Sequence, residues 1–171
     1  FGFNSFFYLL SENKLKEKLI NGHSVIGPFC KISSTSLVEI SALAGFDFVI
    51  IDMEHGPVSI ESVQNLLNAA QSHGLQVVVR IRENSPSNIL QILDIGVQSI
   101  QVPQINNALD AQKVVNSSYY YPKGDRGMCR YVRSASYSKL NKNKYFDSAN
   151  SEILTIVHIE GIDGINLSLI H

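Results

Sequence analysis

Hydrophobic and polar positions along this chain predict strands that alternate with helices. Short apolar runs rich in Val and Ile are typical of strands buried on both faces, whereas apolar residues three or four positions apart are typical of amphipathic helices. The predicted strands are 24–30, 48–52, 76–81, 99–103 and 152–160. The predicted helices are 13–21, 34–44, 60–73, 86–96 and 108–116. Such alternation predicts a parallel sheet with right-handed crossovers.

The spacing of these elements favours a barrel over an open sheet. Each strand–helix unit spans roughly 25–30 residues, near the average for a (β/α)8 barrel of about 250 residues. We therefore predict an α/β fold of the TIM (β/α)8-barrel type, of which the 171 residues represent only about the first five to six strands. An open doubly wound sheet is the alternative, but its Gly-x-Gly-x-x-Gly phosphate loop is absent after the first strand.

One segment departs from the alternation. Residues 117–150 are rich in Tyr, Ser, Asn, Lys and Arg and show weak periodicity. A stretch of this length inside a domain is more often a functional lid or excursion than a simple connection. We predict a single barrel domain over 1–171, incomplete or with segments omitted after about residue 160, because five strands cannot close a barrel of eight.

Composition excludes several classes of protein. Hydrophobic residues make up 44% and charged residues 17%, with a net charge of -1, so no nucleic-acid or membrane partner is expected. Two cysteines, Cys30 and Cys129, are too few for a disulfide framework and fit a reducing cytoplasmic location. Residues 1–10 are apolar but lack a basic leading region, so they are interpreted as part of the mature protein.

Polar side chains follow the predicted strands at the end where α/β enzymes place their chemistry. They are Asp52, Glu54, His55, Arg80, His158 and Glu160. His55 is a candidate general base, and Asp52 or Asp94 could orient its ring. Arg80 could meet an oxygen that gains negative charge in the transition state, and Glu160 suits a divalent cation. Each of three residues also has a plainer interpretation. Arg80 could form an ion pair that only stabilises the fold, Glu160 could simply be solvated, and Asp94 could be no more than an acidic residue at the end of a helix.

At these residues the sequence resembles a family, the class II, metal-dependent pyruvate aldolases that cleave 4-hydroxy-2-oxoheptanedioate, 2-dehydro-3-deoxygalactarate and related 2-oxo acids. The matching stretches are 44–47, 51–55, 78–80, 93–96, 102–104, 121–127 and 157–160. They follow the family's order and spacing from about residue 22 onward. The resemblance implies cleavage of a 4-hydroxy-2-oxo acid to pyruvate and an aldehyde, by a homo-oligomer built as a hexamer.

The resemblance also implies roles for individual residues. His55 would be the catalytic base, Asp94 the acid that pairs with it, and Arg80 the residue that steadies the pyruvate enolate. Asp52 and Glu54 are expected to support them. Glu160 would be one of two carboxylates on a divalent Mg, Mn or Co ion, so a Schiff-base lysine is not needed.

Two departures from the family leave an alternative open. His158 stands where the family usually has a substrate-contacting Gln, and it could replace that contact or join the metal. The stretch with the second metal carboxylate is not found, and residues 161–168 combine fragments of separate family stretches. The alternative is a degenerate or truncated barrel that binds or assembles without catalysis. A phosphate-handling enzyme, suggested only by Arg126-Gly127, is a weaker possibility.

Overall fold

The computed structural model of the protein describes residues 12–168, which form an open sheet of five parallel strands paired in chain order. The strands are β1 (Phe29–Cys30), β2 (Phe48–Asp52), β3 (Gln76–Arg80), β4 (Ser99–Ile105) and β5 (Leu154–Ile159). The helices are α1 (Lys14–Ile20), α2 (Thr35–Leu43), α3 (Ile60–Ser72), α4 (Pro86–Asp94), α5 (Ala108–Ser118), α6 (Lys142–Glu152) and α7 (Ile162–Ser168). The predicted parallel α/β fold is confirmed, with a sheet that does not close within the described residues.

Strands β2 and β3 are buried on both faces, as their continuous apolar runs predict. The residues that pack in the main core include Val49, Ile51, Val77 and Val79. Ile50 and Val78 pack in a second cluster with Leu15 of α1. Because side chains alternate between the faces of a strand, Asp52 and Arg80 lie on the face of Ile50 and Val78. The two charged residues therefore end the inner face of the sheet.

Helix α1 covers that inner face near the start of β4 and β5. The Asn13 side chain donates from Nδ2 to Ser99 Oγ and to the carbonyl oxygen of Glu152, both at 2.9 Å. Lys16 Nζ donates to the carbonyl oxygen of Ile153 at 2.9 Å. These bonds tie α1 to the edge of the sheet opposite to the predicted site.

The helices that follow the strands begin with recognisable signals. The Ser59 hydroxyl accepts a hydrogen bond from the Ser62 N–H and caps α3, and Pro86 occupies the first turn of α4. Each helix then runs back across the sheet, so its C-terminal end lies at the edge where the next strand starts.

The region 117–150 contains more regular structure than predicted. After α5 the chain forms a 3₁₀ segment (Arg133–Ser138) that is kinked at Ser136 and Tyr137, and then α6. Both pack around a small cluster of Tyr120, Ala135, Tyr145 and Ala149. Arg133 donates to the carbonyl oxygen of Ile95 at 2.8 Å, next to the C-terminal end of α4. Within the chain, this contact lies at the edge opposite to the predicted site. This contact does not support the predicted lid over the site, which stays a prediction.

The first and fourth strands differ most from their predicted bounds, whereas the third and fifth differ by only one or two residues at an end. The first strand is much shorter than 24–30, because only Phe29 and Cys30 pair with β2. The fourth is longer than 99–103, because a register shift between Val102 and Ile105 lets β4 rejoin β5 at Ile159. Such an irregularity leaves backbone groups outside the regular ladder.

Candidate active site

The centre of the site is an ion pair between Asp52 and Arg80 across neighbouring strands. The two residues are register partners, and Arg80 donates from Nε to Asp52 Oδ1 at 2.9 Å and from an Nη to Oδ2 at 2.7 Å. The Asp52 side chain is fully buried, and that of Arg80 is 12% exposed. Two parallel hydrogen bonds of this kind fix the guanidinium plane as well as its position. The structural ion pair that was the plainer interpretation of Arg80 is therefore present.

The pair shifts the titration of both partners. Burial acts to raise the pKa of Asp52, but hydrogen bonds from Arg80 and from the N–H groups of His55 and Glu54 outweigh it, and the pKa is lowered. The hydrogen bond to Asp52 raises the pKa of Arg80, against the opposing effect of burial, and the carboxylates of Glu54 and Glu160 add to the increase. Glu160, from β5, therefore acts on the same cation as the residues that follow β2.

Asp52 also shapes the turn that carries the candidate base. Its Oδ1 accepts the N–H of Glu54 at 3.0 Å and of His55 at 3.2 Å. A Cβ atom added to Gly56 would lie 2.4 Å from the Asp52 carbonyl oxygen and 3.1 Å from that of Lys31. Only glycine fits this close approach, which brings the turn against the segment after β1.

The carboxylate beside the His55 ring is Glu54, not Asp52. Glu54 Oε2 lies 3.6 Å from His55 Nε2 and 3.3 Å from an Nη of Arg80. This oxygen is buried and has no hydrogen bond of acceptable geometry, so it is held by charge alone. The His55 side chain is 62% exposed and open to solvent. Asp52 is bonded to Arg80 and to the turn amides in the described residues, so a role for it in orienting the ring stays a prediction.

Asp94 does not lie beside His55 in this chain. It ends α4, and its Oδ1 accepts a hydrogen bond from an Nη of Arg126 at 2.7 Å. Helix α4 runs antiparallel to the strands, so its last residue lies at the edge opposite to His55. The predicted pairing of Asp94 with His55 is not met within the described chain, and spacing in the sequence could not reveal this.

The end of β5 supplies the other side of the site. His158 Nδ1 lies 3.6 Å from Glu160 Oε1, and Glu160 Oε2 accepts the backbone N–H of Gln104 at 3.0 Å. The Glu160 side chain is 47% exposed. The structure therefore brings Glu160 and His158 to the same edge as Asp52, Glu54, His55 and Arg80.

Three residues near the site were missed by sequence reasoning. The Phe29 ring centre lies 4.9 Å from the Arg80 guanidinium carbon, and Lys31 Nζ lies 4.0 Å from Asp52 Oδ2. Both come from the end of β1, which pairs with β2, so strand adjacency was the available signal. No sequence signal pointed to Gln104, because it contributes its backbone N–H rather than its side chain.

Comparison with known proteins decides the family. Residues 26–168 match the model of the HpcH/HpaI aldolase/citrate lyase family. The chain belongs to this family. It is similar to two proteins named 2-keto-3-deoxy-L-rhamnonate aldolase, at 33% identity in Salmonella gallinarum (strain 287/91 / NCTC 13346) and 34% in Escherichia coli O17:K52:H18 (strain UMN026 / ExPEC). Each match covers 152 residues, or 88% of this chain and 56% of the relative, so the chain spans little more than half the length of these relatives.

Two solved structures at about 30% identity share the fold. An HpcH/HpaI aldolase from Desulfitobacterium hafniense DCB-2 matches with a TM-score of 0.82 and 28% identity, over 90% of this chain and 60% of that one. The citrate synthase SbnG matches with a TM-score of 0.78 and 31% identity, over 89% of this chain and 58% of that one. These neighbours support the barrel-like interpretation of the open sheet.

The HpcH/HpaI resemblance implies a divalent metal, and the donor set fits it only in part. Among residues 12–168, no three side chains of His, Cys, Asp or Glu come together as a metal site. Glu160 offers Oε1, but Asp52 and Glu54 already face the Arg80 cation. Because Mg²⁺ is usually held by one or two carboxylates together with water and substrate oxygens, Glu160 supplies only part of a ligand set. No described helix is long and apolar enough to cross a bilayer.

Proposed function

We propose that this family member acts as an aldolase that cleaves a 4-hydroxy-2-oxo acid to pyruvate and an aldehyde, with a divalent metal ion. The observation that supports it is the Arg80 guanidinium, which is paired with Asp52 and with Glu54, the carboxylate that also lies 3.6 Å from the exposed His55 ring. A cation fixed in this way suits an oxygen that becomes negative during the reaction. The rhamnonate aldolase relatives are consistent with this class of substrate.

The reaction needs a base and a place for negative charge. His55 would take the proton of the C4 hydroxyl, the C3–C4 bond would break, and C4 would leave as the aldehyde carbonyl. The electron pair of that bond would form the enolate of pyruvate, which takes a proton at C3. Arg80 would stabilise the enolate oxygen. A bound divalent ion, with Glu160 as one ligand, would supply further positive charge at the 2-oxo acid.

Glu54 is the residue that would support His55. Once His55 carries a proton, its imidazolium would lie 3.6 Å from the Glu54 carboxylate, an attractive contact that the neutral ring lacks. His158 would contact the substrate from β5, in the place of the family's usual Gln. A role for Asp94 beside His55 is not proposed within a single chain, since Arg126 is its partner.

Pyruvate release measures the proposal directly. The purified chain is given 4-hydroxy-2-oxo acids, and pyruvate is measured with chelator and after addition of Mg²⁺, Mn²⁺ or Co²⁺. Metal-dependent release is expected, with a loss of about 10²–10⁴-fold in His55→Asn if the imidazole is the base. His73→Asn is the matched control, because His73 is an exposed residue that caps the far end of α3. Activity that survives complete metal removal would contradict the metal requirement.

Binding without catalysis is the second candidate. The observation that favours it is the incomplete metal site of the described residues. Titration calorimetry with Mn²⁺ and oxalate, a mimic of the pyruvate enolate, separates the two functions. Binding accompanied by pyruvate release supports the aldolase, whereas binding of both ligands without pyruvate release from any 2-oxo acid supports the alternative.

Oligomerisation and a cytoplasmic location stay predictions. Light scattering would measure the oligomeric state.

A further inference from the structure

Gln104 adopts a backbone conformation that residues other than glycine rarely use. Its φ is +58°, in the left-handed region. It lies within the register shift between Val102 and Ile105, directly after Pro103, which has no N–H to give to a strand ladder. The left-handed turn lets β4 rejoin β5 at Ile105 while the Gln104 N–H stays outside the ladder. Strain at such a position calls for a compensating role.

Within residues 12–168, the acceptor of the N–H that is left outside the ladder is Glu160. This N–H donates to Oε2 at 3.0 Å, and the Gln104 side chain is exposed. The other Glu160 oxygen, Oε1, faces His158 Nδ1 at 3.6 Å. The backbone bond therefore distinguishes the two carboxylate oxygens, since it holds one and leaves the other directed to the site.

The neighbouring contacts hold this geometry from both sides. Asn106 Nδ2 donates to the Gln104 carbonyl oxygen at 3.2 Å. A Cβ atom added to Gly161, the residue after Glu160, would lie 2.6 Å from Asn106 Oδ1. Asn106 thus fixes the Gln104 peptide on one side and packs closely against the Glu160 backbone on the other.

We propose that Gln104 is a positioning residue that acts through Glu160, and that its backbone rather than its side chain does this. The strained turn fixes Oε2 and presents Oε1 to a cation. The functional part of this inference depends on the role of Glu160 in the proposed aldolase. The hydrogen bond itself does not.

Three substitutions separate the backbone from the side chain. Gln104→Gly and Gln104→Asn remove or shorten the side chain but tolerate the left-handed region, whereas the β-branched Gln104→Val opposes it. Calorimetry with Mn²⁺ alone is expected to show dissociation constants within about threefold of wild type for Gly and Asn, and roughly 10–100-fold weaker binding for Val. If Gly binds as weakly as Val, the side chain is responsible and the proposal is overturned.

A second measurement does not depend on metal binding or on folding of the Val variant. In nuclear magnetic resonance spectra, the Gln104 amide proton should move upfield in Glu160→Gln and further in Glu160→Ala, more than other amides of β4 and β5. A resonance that does not respond would overturn the hydrogen bond. If it responds while wild type binds no Mn²⁺ and releases no pyruvate, the proposed function fails but the positioning contact stands.

Discussion

The two sides of the candidate site lie at the same edge of the sheet but are built differently. On the β2–β3 side, Asp52 is completely buried and has two hydrogen bonds from Arg80 and two from turn amides. On the β4–β5 side, Glu160 is nearly half exposed and has one backbone hydrogen bond, from Gln104. The first side is fixed by folding, whereas the second holds Glu160 Oε1 beside the His158 ring, at 3.6 Å, on a carboxylate that is largely open to solvent.

This difference separates residues that mainly stabilise the fold from residues that are available to bind a ligand. Removing one partner of a buried ion pair strands the other charge and costs far more than the pair contributes. Removing an exposed carboxylate with one bond costs little. Substitutions on the two sides should therefore separate folding from ligand binding.

Arg80→Ala is expected to have the largest effect, because it leaves the buried Asp52 carboxylate without its cation. Stability should fall by about 3–5 kcal/mol in denaturant titrations. Turnover should fall by about 10²–10³-fold if Arg80 stabilises the enolate oxygen. Arg80→Lys is the control, since it keeps the charge without the two-point geometry. A turnover change below threefold in a folded Arg80→Ala would remove Arg80 from the mechanism.

The second-largest effect is expected from acid, which should lower the stability that the β2–β3 side contributes. The pKa of Asp52 is lowered on folding, so its contribution is complete above the unfolded value of about 3.9 and is lost as pH falls below that toward the folded value. Stability should therefore fall more steeply with decreasing pH in the wild type than in a protein that lacks the Asp52 carboxylate. Denaturant titrations between about pH 5 and pH 2 measure it, with Asp52→Asn as the comparison. Equal pH slopes in the two proteins would contradict a native Asp52–Arg80 bond.

Gly56→Ala tests the turn that holds His55. The added Cβ would meet the Asp52 carbonyl oxygen at 2.4 Å, so the turn must shift. A stability loss of about 1–3 kcal/mol is expected, together with lower turnover. Gly22→Ala is a control with an added Cβ but no atom within 4 Å, although its positive φ adds some strain. If Gly56→Ala proves no more harmful than this control, the close approach is not a constraint.

Glu160→Gln should have the smallest effect on folding and sharpens the comparison most. Its side chain is 47% exposed, so stability should change by less than about 0.5 kcal/mol. Binding of Mn²⁺, measured by calorimetry, should nevertheless be lost if Glu160 is a metal ligand. Unchanged Mn²⁺ binding would place the metal elsewhere. A large stability loss would show that the β4–β5 side, like the β2–β3 side, is needed for folding.

The parts of the fold that the sequence predicted are those with strong local signals. Strands β2 and β3 are continuous apolar runs that end in charged residues, and their ends had to meet because parallel neighbours share an edge. Asp94 could not be placed in this way, because a residue at the end of a helix lies at the far edge and its partner, Arg126, comes 32 positions later.

Other features left no pattern to detect. Helix α6 has few apolar positions, chiefly Tyr145, Phe146 and Ala149, so residues 117–150 showed weak periodicity. The role of Gln104 depends on a backbone angle and on an N–H that every residue except proline possesses. The Glu54 carboxylate lies beside His55 because of its contact with Arg80 and the shape of the turn after β2. The spacing of these residues in the sequence does not show this.

The attachment of α1 has a consequence for the order of folding. Asn13 bonds to Ser99 and Glu152, which lie 86 and 139 positions later in the chain. During synthesis these partners emerge from the ribosome long after the helix does, so α1 cannot complete its docking until β5 begins to pair. Helix α1, which precedes every other described element in the chain, would then be among the last of them to settle.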